Sequence, residues 1–291
     1  VCFAMMIGDA GSGSILLAGT VYFAVKATKK YSKVSDGNML MILLSFATIA
    51  WGAITGNWFG VESIGRESFL SNLVIPSMLT FQPRSAQLVK IICFILGTVQ
   101  LSIAHLWNFF AELREKPRIK ALAQLGWLST VLGLYYLVLN LVIDPERFPM
   151  PDYSLYMIAA GIIAVFLFSK QEGNFFKGII KGLADFIPTA LDGVSAFSDI
   201  ISYIRLFAVG LASLEIAKSF NSMAEGFGSG PIAIIAGAVI LVFGHSLNLA
   251  MGALSVIVHG VRLNMLEFSS HLGMEWTGYP YRPFRKKEST A

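Results

Sequence analysis

The sequence predicts an all-α, polytopic membrane helical bundle of about eight spans, the first truncated and the last two long and strongly tilted. Three observations carry this. Hydrophobic residues make up 55% of the chain and charged residues only 14%, with a mean hydropathy of +0.66; a soluble domain carries roughly 25% charged residues. Apolar runs recur along the whole chain at about the length a bilayer requires. The loops between them alternate between lysine- and arginine-rich and lysine-poor.

In order, Val1 to Ile7 is apolar and reads as the end of a span. "GDAGSG" follows as a glycine turn that bends the chain back. It lacks the Gly-Lys-Ser/Thr of a phosphate loop. The runs then lie at roughly 14–27, 38–56, 87–111, 121–143, 154–169, 198–224 and 231–268. Basic residues cluster at Lys26, Lys29, Lys30 and Lys33, at Arg114, Lys116, Arg118 and Lys120, and at Lys170, Lys177 and Lys181. They recur at Arg282, Arg285, Lys286 and Lys287. These are alternate loops, so the positive-inside rule puts them, and the C-terminus, in the cytoplasm. The same lysines and arginines account for the net charge of +4, and nucleic-acid binding is not expected.

The domain reading follows. Residues 1–169 hold the first six spans, and 170–196 form a cytoplasmic segment. Residues 197–272 form two long helices, and 273–291 a cytoplasmic tail. Segment 171–195 mixes Phe175, Phe176, Ile179, Ile180, Leu183 and Phe186 with lysines and Asp185, at a spacing that fits an interfacial amphipathic helix or an ordinary loop helix. The stretch from Pro231 to His271 would be about 60 Å of helix, twice a bilayer core of about 30 Å. It must tilt, break or project. If Val1 to Ile7 ends a span, that span began in the cytoplasm, and a portion preceding it would be a cytoplasmic N-terminal domain.

Two arginines sit inside apolar helices: Arg205 in "SYIRLFAV" and Arg262 in "VHGVRLNM". Each costs about 2.5–3.5 kcal/mol at a membrane centre even on the lenient insertion scale. Arg262 lies near the cytoplasmic end, where snorkelling to headgroups competes as an explanation. His245, Asn248, Gly252, Ser255, His259 and Arg262 share one helical stripe. Such a stripe lines water or a polar partner. Interhelical hydrogen bonding by small polar residues is the simpler alternative. A weaker face carries Ser198, Ser202 and Arg205. Carboxylates are few: Asp192 and Asp199 lead into the Arg205 helix, where they could draw cations to a mouth or simply complement a helix N-terminus. Glu215 has Lys218 three residues on, and Glu267 is spaced to pair with His271. Cys2 and Cys93 form no metal or disulfide pattern, and the histidines have no metal spacing. No catalytic residues, metal site or cofactor are expected.

Taken together, "SDIISYIRLFAVGLA", "GALSVIVHGVRLNMLEFSSHL" and "GYPYRPF", with the opening "FAMMIGDAGSG", resemble the C-terminal membrane domain of V-type (A/V-type) ATPase subunit a, called subunit I in prokaryotes. The resemblance covers essentially the whole chain, and its short loops look prokaryotic. It implies a non-catalytic stator in a prokaryotic plasma membrane. Its partners would be a rotor ring of carboxylate-bearing small membrane subunits, the bilayer, and peripheral stalk subunits reached through an N-terminal domain. Two half-channels would carry H+ or Na+, with Arg205 and Arg262 facing the ring. Two relay positions depart from eukaryotic relatives: Gly252 stands where they have glutamate, and Ser213 where they have histidine. From the residues alone, a secondary transporter binding an anionic substrate through the arginines is the main competitor. It lacks the expected matched halves. A purely structural scaffold would have no use for the polar stripe.

Overall fold

A computed structural model describes residues 1–31, 35–67, 69–114, 117–171, 181–182, 184–228, 230–274 and 278. Among them there is no strand. The helices are α1 (Cys2–Ile7), α2 (Ala10–Tyr31), α3 (Asp36–Thr55), α4 (Glu62–Glu67), α5 (Pro83–Glu112) and α6 (Ala121–Val138). They continue with α7 (Asp152–Phe168), α8 (Phe186–Ser202), α9 (Ile204–Glu225) and α10 (Pro231–Ser255). Two π-helical stretches, Val256–Gly260 and Leu263–Phe268, and a last turn, Ser269–His271, extend α10. Six helical stretches are long and apolar enough to cross a membrane, while α7, at 17 residues, is shorter. The predicted all-α polytopic bundle is the observed architecture, with six such stretches among the described residues against the about eight spans expected.

The turn after α1 is built by its sequence. Gly8 takes φ 63°, a left-handed conformation that glycine adopts without Cβ strain. The Asp9 carboxylate then caps α2 by accepting from the Gly11 and Ser12 amides at 3.0 and 2.9 Å. Asp9 also accepts from the Phe59 amide at 2.7 Å, which ties the loop after α3 to the same point. α6 and α7 pack along their length through small residues. A Cβ on Gly161 would meet Thr130 Oγ1 at 2.4 Å and the Gly126 carbonyl at 2.5 Å. The glycine is what allows the two backbones to approach.

The Arg205 rod differs in extent from its apolar run. It starts at Phe186 rather than 198, and α8 passes into α9 with only Tyr203 between. Asp192 and Asp199 dilute the hydropathy of α8, which hides its continuity. Of the amphipathic segment read at 171–195, residues 172–180 and 183 lie outside the described residues. So do Lys33, Lys116 and the tail arginines and lysines.

Between the helices sits an apolar cluster of Met5, Met6, Cys93, Tyr203, Leu206 and Leu263, all buried. Along α9, its Leu206 lies between Arg205 and the polar side chains that begin at Ser213.

Candidate functional site

A first set of polar side chains lies at the end of the bundle that the basic loops mark. Arg205 donates from Nη2 to Glu267 Oε1 at 2.7 Å and from Nε to the Ser202 carbonyl at 2.9 Å. Arg262 Nε lies 3.6 Å from the same Glu267 oxygen. Glu267 is 5% exposed and Arg262 58% exposed, so one buried carboxylate sits between a half-buried guanidinium and an outward-facing one. The spacing-based pairing of Glu267 with His271 is therefore wrong. Glu267 falls in a π-helical stretch, whose i→i+5 winding changes the register that i,i+4 pairing assumes.

His271 pairs elsewhere. Its Nε2 lies 3.0 Å from Asp199 Oδ2, and its Nδ1 lies 3.2 Å from His105 Nε2. His105 Nδ1 is 3.1 Å from Gln124 Oε1, and Gln124 Nε2 donates to Glu112 Oε1 at 2.9 Å. Asn108 Nδ2 fixes the His271 backbone by donating to its carbonyl at 2.8 Å. His105, Asn108, Gln124, Asp199 and His271 wall a polar cavity of about 320 Å³ that also takes in Asp192, Ser195 and Trp127. Asp192 and Asp199, two candidates from the sequence, thus lie in one cavity. His105 was missed. It is 4% exposed and lies within the apolar run at 87–111. The stripe His105, Asn108, Glu112 at i, i+3, i+7 was the available signal.

The second set lies toward the opposite end. His245 Nε2 is 3.2 Å from Asn221 Oδ1, and Asn221 Nδ2 donates to the Phe59 carbonyl at 2.8 Å. Phe59 holds φ 53°, uncommon for a non-glycine residue, and its ring meets the His245 ring edge-on at 5.4 Å. Deeper, Ser213 donates to Asn248 Oδ1 at 3.0 Å, with both residues buried. Ser12, Phe59, His245 and Ser246 line a cavity of about 320 Å³ beside this network.

The predicted single stripe from His245 to Arg262 is divided. His245 and Asn248 face α9, and Gly252 is buried, whereas Arg262 is exposed. The π-helical stretch Val256–Gly260 between them breaks the α-helical register. Ser255 and His259 are half-buried and join neither network among the described residues. Ser198 is exposed, and Ser202 donates to the Asp199 carbonyl at 2.6 Å. Glu215 is exposed and pairs with Lys218 at 2.8 Å, away from both cavities. No group of three or more His, Cys, Asp or Glu with metal-holding geometry occurs among the described residues.

No family model matches the chain. It is 47% identical over 289 residues to the V-type ATP synthase subunit I of Borreliella burgdorferi, covering 98% of this chain and 47% of that protein. It is 37% identical over 290 residues to the V-type ATP synthase subunit I 1 of Treponema pallidum, covering 99% and 46%. It is 25% identical over 313 residues to the A-type ATP synthase subunit I of Methanocaldococcus jannaschii, covering 97% and 43%. The chain spans about half the length of the curated relatives it matches.

Proposed function

Because this chain is a homologue of subunit I of the V-type and A-type ATP synthases, multi-pass and all-helical, we propose that it is the stator membrane part of a rotary ATPase. In this reading it lies against a rotor ring of small, carboxylate-bearing membrane subunits. Nucleotide chemistry belongs to other subunits, and the bound ion is H+ or Na+. The membrane is a prokaryotic plasma membrane with the C-terminus cytoplasmic. An N-terminal domain like the other half of the relatives would join peripheral stalk subunits.

The observation that carries the reading is the placement of two cavities, a polar one at His105, Asp199 and His271 and a largely apolar one at His245, with the Arg205–Glu267 pair and the buried Leu206 and Leu263 lying between them along the α8–α9 and α10 rods. The cavity at His105 and His271 serves as the cytoplasmic half-channel and the one at His245 as the outer half-channel. An ion cannot pass from one to the other through this chain and must travel on the ring. A guanidinium beside a ring carboxylate favours its ionised form and promotes ion release. It also repels a cation attempting a direct crossing. A transporter taking an anion on these arginines would have to displace Glu267 from Arg205. The testing experiment is affinity purification of the chain from membranes. The stator reading expects a multi-copy small membrane subunit with an intramembrane carboxylate in the eluate. A solitary chain that exchanges an organic anion across vesicles would sink it.

A further inference from the structure

We propose that the crevice between the first turns of α5 and the loop joining α6 to α7 binds one anionic phospholipid of the outer leaflet. Its phosphate sits on Arg147 and Gln87, and an acyl chain follows α5 into the membrane. The site is apart from both half-channel cavities and stands on its own geometry.

The crevice holds about 440 Å³, with Ser77, Gln82, Gln87, Leu88, Ile91 and Arg147 in its lining. The loop after α5 is basic, which places the opposite end of α5, and this crevice, on the outer side.

Its polar end is built of donors. Arg147 Nη1 donates to Gln87 Oε1 at 2.9 Å, and the guanidinium lies over the Phe148 ring, 5.9 Å from its centroid. Phe148 is itself fixed: its carbonyl accepts from Asn140 Nδ2 at 2.9 Å, and its amide donates to the Asp144 carbonyl at 3.0 Å. The arginine is therefore held in one place although it faces solvent. A guanidinium has five N–H groups, and this contact uses one. Among the described residues no carboxylate lies within ion-pairing distance of it. Gln87 has spent its oxygen on Arg147, so the group it has left is an NH2 donor. A fixed guanidinium fork beside an amide NH2 matches an anion with several oxygens, and phosphate fits the fork in a bidentate way.

The other end says which phosphate. Leu88, Ile91, Ile95 and Val99 share one face of α5 at i, i+3, i+7 and i+11. Ile95 and Val99, below the crevice, are exposed. From Leu88 to Val99 this track runs about 16 Å, close to half of a hydrocarbon core of about 30 Å. A positive charge at the water-facing end of an apolar track one leaflet deep repeats the order of an anionic lipid. A soluble phosphate would use only the first part of it.

The test uses the assembled, detergent-purified complex and phosphatidylglycerol with a diazirine in one acyl chain. After irradiation, peptide mass spectrometry locates the adducts. Labelling is expected on residues 88–99. Unlabelled phosphatidylglycerol should compete, and phosphatidylcholine with the same chains should not. Glycerophosphoglycerol, the headgroup without chains, should not compete at the same concentration. Arg147→Gln should lower labelling about tenfold, the loss that follows removal of a charge-assisted contact. Equal competition by phosphatidylcholine would reduce the crevice to ordinary bilayer contact and overturn the proposal. Equal competition by glycerophosphoglycerol would make it a soluble-anion site and overturn the lipid. Absence of adducts on α5, or undiminished labelling in Arg147→Gln, refutes it as well. If that variant does not assemble, the wild-type competitions still decide. No transport rate enters, so this proposal and the stator reading fail separately.

Discussion

Arg205 and Glu267, 62 positions apart in sequence, meet at 2.7 Å, and the carboxylate is almost fully buried. The chain therefore supplies its own counter-ion to the guanidinium that a ring carboxylate would address. Glu267→Gln is expected to cost roughly 1–3 kcal/mol of stability, less than the 3–5 typical when a fully buried pair is broken, because Arg205 keeps contact with solvent. Pumping by the assembled complex should fall about tenfold, while Glu267→Asp retains most of it. Thermal unfolding in detergent and vesicle acidification check the two halves separately.

Arg205→Ala should abolish ATP-driven ion pumping and leave ATP hydrolysis by the detached catalytic sector unchanged. Arg262→Ala should cause a partial loss, because its side chain is 58% exposed and 3.6 Å from the shared carboxylate. Equal, complete loss in both variants would contradict this ranking.

The cavities predict opposite labelling. With Cys2 and Cys93 replaced, Ser246→Cys should react with a membrane-impermeant thiol reagent added outside, and Ser195→Cys only with reagent reaching the cytoplasmic face. Labelling of both from one side would mean the apolar cluster does not divide them.

Gly161→Ala places a methyl group 2.4 Å from Thr130 Oγ1 and 2.5 Å from a backbone oxygen. Overpacking of this kind typically costs about 1–3 kcal/mol. Gly193→Ala, on α8 with nothing within 4 Å, should be neutral or slightly stabilising. Melting temperatures of the two variants in one detergent measure the contrast.

Asp9→Ala removes the acceptor for three backbone amides, at Gly11, Ser12 and Phe59. Buried amides left without partners cost about 1–3 kcal/mol each. The variant should open the loop that holds Phe59 against His245, seen as faster amide exchange at residues 57–60.

The bundle was legible because hydropathy and loop charge are local properties. α5 was read at 87–111 and runs Pro83–Glu112; α3 was read at 38–56 and runs Asp36–Thr55. Arg205, Asp192 and Asp199 were legible as costly charges in or beside apolar helices. Their partners were not. Glu267 was given to His271 by spacing, but π-helical winding and a neighbouring helix decide its contact. His105 gained significance only when α5, α6, α8 and the last turn converged on it.

The apolar cluster between the cavities also has an electrical meaning. In the proposed half-channel reading, water in each cavity would carry the potential of its own bulk phase inward, and the membrane voltage would fall mainly across the short stretch held by Met5, Met6, Tyr203, Leu206 and Leu263. A charge moved past this septum exchanges about 2.3 kcal/mol for every 100 mV. The field that a full bilayer spreads over about 30 Å would then be concentrated onto a few side chains. Their thickness, more than that of the lipid, would then set the distance over which the driving force acts.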